Sequence, residues 1–437
     1  MPFPHLTSTN PHFLQRLSKR CAHQGDVFAA SDVRHLDGRC LLARGQLLSA
    51  QGVLSLQDQT LQAPLELSLA VHDAPNGADL ARRAQVLAAS DDGLGRLAGA
   101  AHASSMVLDI QQSLRWGPAT QLLATCTAPD AFDHAAAVSF VCAALAGQAG
   151  WSQGEVQHAA LAGWLHDAGE LYLAPGLCSS DPVSPQDWLA YAEHPTWGKL
   201  VADQLDRYPA AVGRAVGEHH ERLDGSGYPS GLRAAEQSDL GALLAVAEAL
   251  VGVLTQPHPH EQARRARAQV ALRLVPGKFA AHWIQLVQRA LPVSAAEVDA
   301  AMPVTTDWQA LSSQARGVST CLQQVTTWRA DNSTDTEEPV NENAPWARRL
   351  QVSSQHLLTA FHASGASQLG HGDERAQPID PLTALELQAS LREMRWQLGA
   401  LLRDVCSATQ AELPQHHSAL ALLHALRGGL TGSTSWV

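Results

Sequence analysis

The chain has 437 residues, which at roughly 150 per domain points to two to four domains. Hydrophobic residues make up 45% and charged residues 16% of it, a balance that excludes a disordered polypeptide. Thirty Lys and Arg stand against 42 Asp and Glu, a net charge of −12, which argues against a binder of nucleic-acid polymer or anionic membrane because both need clustered positive charge.

The N-terminus, MPFPHLTSTNPHFLQRLSKRC, places prolines and polar residues where a secretory leader needs an unbroken apolar core, so a cytoplasmic location is expected. Residues 1–77 read as a small β-rich module. An Asp37-Gly38 turn signal separates short apolar runs, and PLELSLAVHD alternates around Leu65, Leu67, Leu69 and Val71. From about residue 78 the spacing becomes helical, through Leu80, Ala84 and Leu87 and then Val107, Ile110 and Leu114. We read 78–120 as connecting helices, 121–291 as a central helical domain closed by Leu291-Pro292, and 292–437 as a helical C-terminal region. In that last region ADNSTDTEEPVNENAP, at 330–345, is expected to be a mobile linker, and Leu385, Leu391, Met394 and Leu398 belong to an apolar stripe; a homodimer through these apolar helices, or a signalling-protein partner, is the expectation. The longest apolar stretches, such as Leu243 to Leu254 around Glu248, fall short of the ~20 residues that span a bilayer. Seven cysteines without a CxxC read as reduced thiols.

Histidine is the anomaly, at 21 residues, and its placement carries the chemistry. LAGWLHDAGE ends an apolar helix near Gly169, a natural left-handed terminus, with His166-Asp167 beside it. Burying that pair is expensive unless something neutralises it. His134 lies upstream, His194 sits in EHPTWGK, and His219-His220 opens HHERLDGSGYP. The intervals of 32, 28 and 25 residues are helix-hairpin lengths, so the ends of antiparallel helices can bring these imidazoles together. Asp130, four residues before His134, shares its helix face, and Glu248 is the one acidic residue in a long apolar helical stretch. A His- and carboxylate-rich set without nearby Cys favours iron or manganese, with zinc open, and a bridging Asp167 suits a two-metal centre. Two metals a few Å apart clamp and hydrolyse phosphoesters.

These strings resemble the HD-GYP subgroup of the HD-domain metal-dependent phosphohydrolases. The match rests on His134, on His166-Asp167 in HDAGE, on His194-Pro195 with Gly198, and on HHERLDGSGYPSGL from His219 to Leu232, over roughly residues 120 to 290. The resemblance implies a mainly α fold with a central HD-type bundle, two or three divalent metal ions, and hydrolysis of cyclic di-GMP to the linear dinucleotide pGpG or to GMP. It assigns His134, His166, Asp167, His194, His219, His220, Glu248 and Asp130 to the metals, and Asp167 and His166 to the chemistry. Arg222 and Lys199 become candidates for the phosphate, and Asp224, Gly227, Tyr228 and Pro229 for the loop beside the substrate.

Two departures keep alternatives open. The lysine that follows the family's HD signature is Glu170 here, and the basic run expected downstream reads EALVGVLTQPHPHE. An anion beside a dianionic substrate weakens binding unless another group compensates. A catalytically impaired signalling module, or a phosphohydrolase of another nucleotide, would carry the same metal ligands.

Overall fold

The protein, described here from a computed structural model, is defined at residues 8–99, 104–177, 185–256, 260–294, 296, 308–332, 345–369 and 380–412. Local chemistry sets where its helices begin. Asn10 accepts from the backbone N–H groups of His12 and Phe13 to start α1, Pro11–Gln24, and Gly25 closes it at φ 60°. After α2, Ala50–Leu54, come α3, Gly77–Ala88, with a reciprocal Asn76/Asp79 capping box, then α4, Gly93–Gly99, α5, Ser104–Ser113, and α6, Pro118–Cys126. The central helices are α7, Pro129–Gln148, α8, Gln153–Leu165, α9, Pro185–Tyr191, α10, His194–Leu200, α11, Ala210–Glu218, and α12, Asp239–Leu254. They are followed by α13, Glu261–Arg273, α14, Ala281–Ala290, α15, Trp308–Asn332, α16, Pro345–Ala363, α17, Ala366–Leu369, and α18, Pro381–Glu412.

Among the described residues all named strands lie in the N-terminal segment. β1, Val27–Ala29, pairs antiparallel with the later β4, Leu69–Val71, while β2, Val33–Arg34, and β3, Cys40–Leu42, form a hairpin across the expected Asp37-Gly38 turn. The expected strand around Leu65 to Val71 is shorter than its alternation implied. Leu65–Leu67 is a 3-10 turn, because Pro64 has no N–H to donate and enters at φ −52°. The mainly α fold class with a small β-containing N-terminal module is therefore what the chain adopts. Of the 330–345 linker, residues 333–344 lie outside the described residues.

Two compact units divide the chain. The first takes Met1–Pro182, Ala190–His220 and Ser238–Val251, and the second takes Val183–Leu189, Glu221–Gln237 and Gly252–Val437. In the first unit, α7 and α8 pack closely: a Cβ on Gly163 would lie 2.7 Å from Ser139 Cα, so only glycine lets the two backbones approach. The N-terminal segment shares one apolar core with α6 and with the chain after α8, through Phe13, Leu17, Leu69, Leu122, Leu171 and Val201. In the second unit, α15, α16 and α18 bury Val318, Leu322, Leu357, Phe361, Leu391 and Met394, the last two from the stripe seen in the sequence. No helix among the described residues is long and apolar enough to cross a membrane.

The N-terminus of α6 has no cap of its own, and Asp206 supplies one from after α10. Its carboxylate accepts from Ala119 N at 3.2 Å, Thr120 N at 2.7 Å and Thr120 Oγ1 at 2.6 Å. Asp206→Ala is expected to lower unfolding free energy by about 1–2 kcal/mol, the loss typical of a capping carboxylate, read as a reduced urea midpoint with an unchanged slope.

Candidate metal centre

The first unit brings seven of the eight proposed ligands to the ends or inner faces of five helices. His134 projects from the second turn of α7, His166 caps the C-terminus of α8 with Asp167 next to it, His194 is the first residue of α10, His219 caps α11 with His220 following, and Glu248 lies in the middle of α12. Three rings are oriented by one device. His166 Nδ1 lies 2.8 Å from Gly163 O, His194 Nδ1 2.8 Å from Tyr191 O, and His219 Nδ1 2.6 Å from Val216 O. A carbonyl oxygen only accepts, so each Nδ1 carries a proton and each Nε2 is the atom turned toward the centre.

Those Nε2 atoms converge. His194 Nε2 and His219 Nε2 stand 3.1 Å apart. His166 Nε2 is 2.9 Å from Asp167 Oδ2 and 3.1 Å from Glu248 Oε2, yet it is buried and makes no hydrogen bond. Asp167 divides its oxygens between the two sides: Oδ2 faces His166 and His134, while Oδ1 lies 3.5 Å from His194 Nε2 and 3.6 Å from His219 Nε2. Glu248 Oε2 is also 2.9 Å from His134 Nε2. Two ligand groups result, Asp167 with His194, His219 and His220, and Asp167 with His134 and His166, each with donor atoms within 4.8 Å of one another. Three Nε2 atoms of imidazoles whose Nδ1 protons are already used, gathered with the Asp167 and Glu248 carboxylates, suit a cation among them, so the donor set fits divalent metal. No cysteine belongs to either group.

Electrostatics agree. Burial pushes the His194 imidazole down to about 3, with His219 adding to the effect, so His194 stays neutral and able to donate its lone pair. Burial works against charge on His166 and on both carboxylates, but their mutual attraction outweighs it: the His166 imidazole is held well above its ordinary range and Asp167 and Glu248 well below theirs, so the place favours a positive charge between the carboxylates. His166, His194 and His219 are fully buried, whereas the side chains of His134, Asp167 and Glu248 remain 28%, 26% and 21% exposed. The cluster therefore opens to solvent on the side of the carboxylates and His134.

The backbone around the dyad differs from the expected helix end. Gly169 does not adopt a left-handed conformation. It lies inside a 3-10 turn, Ala168–Tyr172, and its role is room: a Cβ there would lie 2.0 Å from His194 O. Asp130 sits in the first turn of α7, exposed, and belongs to neither ligand group. Lys199, on α10, pairs with Asp203 at 2.6 Å.

The other proposed loop residues lie in the second unit. Arg222 places its guanidinium 4.9 Å from the centre of the Phe279 ring. Asp224 accepts from Ser226 N at 2.9 Å and lies 3.0 Å from His356 Nδ1, which makes it a turn-holding residue. A Cβ on Gly227 would lie 2.3 Å from Arg222 N, and the Tyr228 ring meets Trp188 edge-on ahead of the cis Tyr228–Pro229 bond. The residue that closes this loop is one the spacing argument passed over. Glu221, fully buried, accepts from Ser230 N at 2.6 Å and Leu232 N at 2.8 Å. Its signal in the sequence was the acid directly after the two imidazoles. Glu218 was missed as well: it ties Arg214 on α11 to Ser238, which starts α12, at 2.6 Å on each side.

Residues 119–274 match the family model described as HD domain, and the HHERLDGSGYP string falls inside that match. The central segment is thus similar to HD domains. Among curated relatives, a cyclic di-GMP phosphodiesterase of Pseudomonas aeruginosa is 30% identical over 222 residues, covering 49% of this chain and 53% of the relative. A 3'3'-cGAMP-specific phosphodiesterase of Vibrio cholerae is 32% identical over 131 residues, 30% of each chain. A cyclic di-GMP phosphodiesterase of Thermotoga maritima is 26% identical over 178 residues, 38% of this chain and 47% of the relative. The chain spans about half or less of the length of these relatives.

Because Asp167 belongs to both ligand groups and His134 to one, Asp167→Ala is expected to lose both ions, while His134→Ala retains about one per chain, measured by plasma emission after loading with Mn(II). Chelation is expected to lower the thermal midpoint of the wild-type chain and Mn(II) to restore it, since a ligand that binds only the folded state stabilises it.

Proposed function

We propose that the chain is a metal-dependent phosphodiesterase that hydrolyses a cyclic dinucleotide, with cyclic di-GMP as the substrate and pGpG or GMP as the product. The observation that carries the reading is the carboxylate of Asp167 placed between two imidazole groups whose Nδ1 protons are fixed on backbone carbonyls. Two divalent ions held there, iron or manganese given the nitrogen and oxygen donors, would activate water and neutralise phosphate charge. The chain's own contribution is geometric and electrostatic. His166, His194 and His219 keep their Nε2 atoms on the centre, and Asp167 and Glu248, ionised at neutral pH, hold their oxygens toward the solvent-open side. Arg222 and Lys199 are kept as candidates for the phosphate on the sequence resemblance alone.

The names of three relatives support a cyclic dinucleotide, and one of them is specific for 3'3'-cGAMP. Glu170, where the family has lysine, favours a second reading in which the metals are kept but the substrate differs or is only sensed. Anaerobically purified protein loaded with Fe(II) or Mn(II) is expected to convert cyclic di-GMP to pGpG or GMP, with turnover lost in Asp167→Ala. Turnover of 3'3'-cGAMP alone would reassign the substrate. Bound metal with no turnover of either would move the protein to the signalling module.

A further inference from the structure

Among its described residues the N-terminal module offers no metal-ligand cluster of its own, yet it grips the two segments that carry Asp167 and His194. The 3-10 turn Ala168–Tyr172 follows Asp167 directly, and Trp197 lies one helical turn after His194 on α10. Tyr172 is sandwiched between them and the module: its ring stacks on Phe13 of α1 at 5.6 Å and on Trp197 at 5.1 Å with an interplanar angle of 4°. Its hydroxyl donates to Glu66 Oε1 at 2.7 Å. Arg16 of α1 donates to the carbonyls of Glu170 at 3.2 Å, within the same turn, and Leu173 at 3.4 Å, which ends it.

The Glu66–Tyr172 pair is costly for simple packing. Glu66 is 4% exposed, its Oε2 has no hydrogen-bond partner, and burial pushes its carboxyl above the ordinary range with the Tyr172 hydroxyl opposing. An apolar pair of similar volume would fill the space without that penalty. What a buried hydrogen bond adds over apolar packing is a single register. The register matters here because Gly169 presses so closely on His194 O that a displacement of the turn is passed to the other ligand segment.

We propose that Glu66 and Tyr172 are positioning residues of the metal centre: their hydrogen bond, held within the Phe13–Tyr172–Trp197 stack, fixes the spacing between Asp167 and His194. The N-terminal module is then a working part of the centre and not an appended regulator. The inference rests on the metal-centre reading and is independent of which phosphoester is cleaved.

The test uses the full-length chain, Mn(II) alone as the probe, free Mn(II) followed by electron paramagnetic resonance, and the thermal midpoint of the metal-free protein in parallel. Tyr172→Phe keeps both ring stacks and removes only the hydroxyl. It is expected to weaken Mn(II) binding by about tenfold or more, the range for partners that orient metal ligands, while Glu66→Gln, whose side-chain carbonyl still accepts from the hydroxyl, stays within about threefold of wild type. Mn(II) binding by folded Tyr172→Phe equal to wild type, with or without a lower midpoint, overturns the proposal and leaves the pair a structural one. Should Tyr172→Phe not fold, Arg16→Met, which releases the Glu170 and Leu173 carbonyls, is judged by the same criterion. Wild-type protein that binds no Mn(II) overturns both this proposal and the metal-centre reading. Weakened binding in Tyr172→Phe beside a wild type that binds metal but cleaves no cyclic dinucleotide supports positioning and overturns only the phosphodiesterase reading.

Discussion

Lone pairs that face one another in a buried place need a cation, and the first unit is arranged around that requirement. His194 and His219 bring their Nε2 atoms to 3.1 Å, and His166 Nε2 is buried without a hydrogen bond. Left alone, such a set repels or takes up protons at a desolvation cost of several kcal/mol. The same arrangement around divalent metal becomes attractive, so the folding free energy of this region and its affinity for metal are two faces of one quantity.

Helix ends make the arrangement possible. An imidazole at a C-cap reaches back to the carbonyl three residues earlier, which fixes its tautomer at no cost in ordered side chains; His166 and His219 both use this position. His194 achieves the same at a helix start, by reaching to Tyr191 in the preceding turn. Glycine at 163 and 169 lets the carrying segments approach until backbone meets backbone. The carboxylates arrive from different directions, Asp167 from the chain after α8 and Glu248 from the middle of α12, so neither side of the cluster depends on one element.

Polar residues outside the cluster hold its supports. Glu218 joins α11 to the start of α12, Asp206 caps α6, and in the second unit Glu221 closes the loop that follows His220. Each is a carboxylate meeting backbone N–H groups, the stronger class of hydrogen bond. Such residues leave a faint mark in a sequence, because an acid beside a turn looks the same whether it faces solvent or closes a loop.

The sequence by itself determined the mainly α class, the hairpin at Asp37-Gly38, the helical spacing of the central segment and the identity of the imidazoles, because periodicity and short motifs act within a few residues of chain. HHERLDGSGYP was legible as a unit for the same reason. Other features were decided only by the tertiary structure. The alternation at Leu65–Leu67 gave way to a turn at Pro64, Gly169 proved to be a point of close approach and not a helix terminus, and Asp130 stayed at the surface while Glu248 came in to His134 and His166. Glu66 and Tyr172, 106 residues apart, met in the core. Contacts of that separation depend on where whole helices pack, and packing is set by the shape and volume of many side chains at once, which no local pattern encodes.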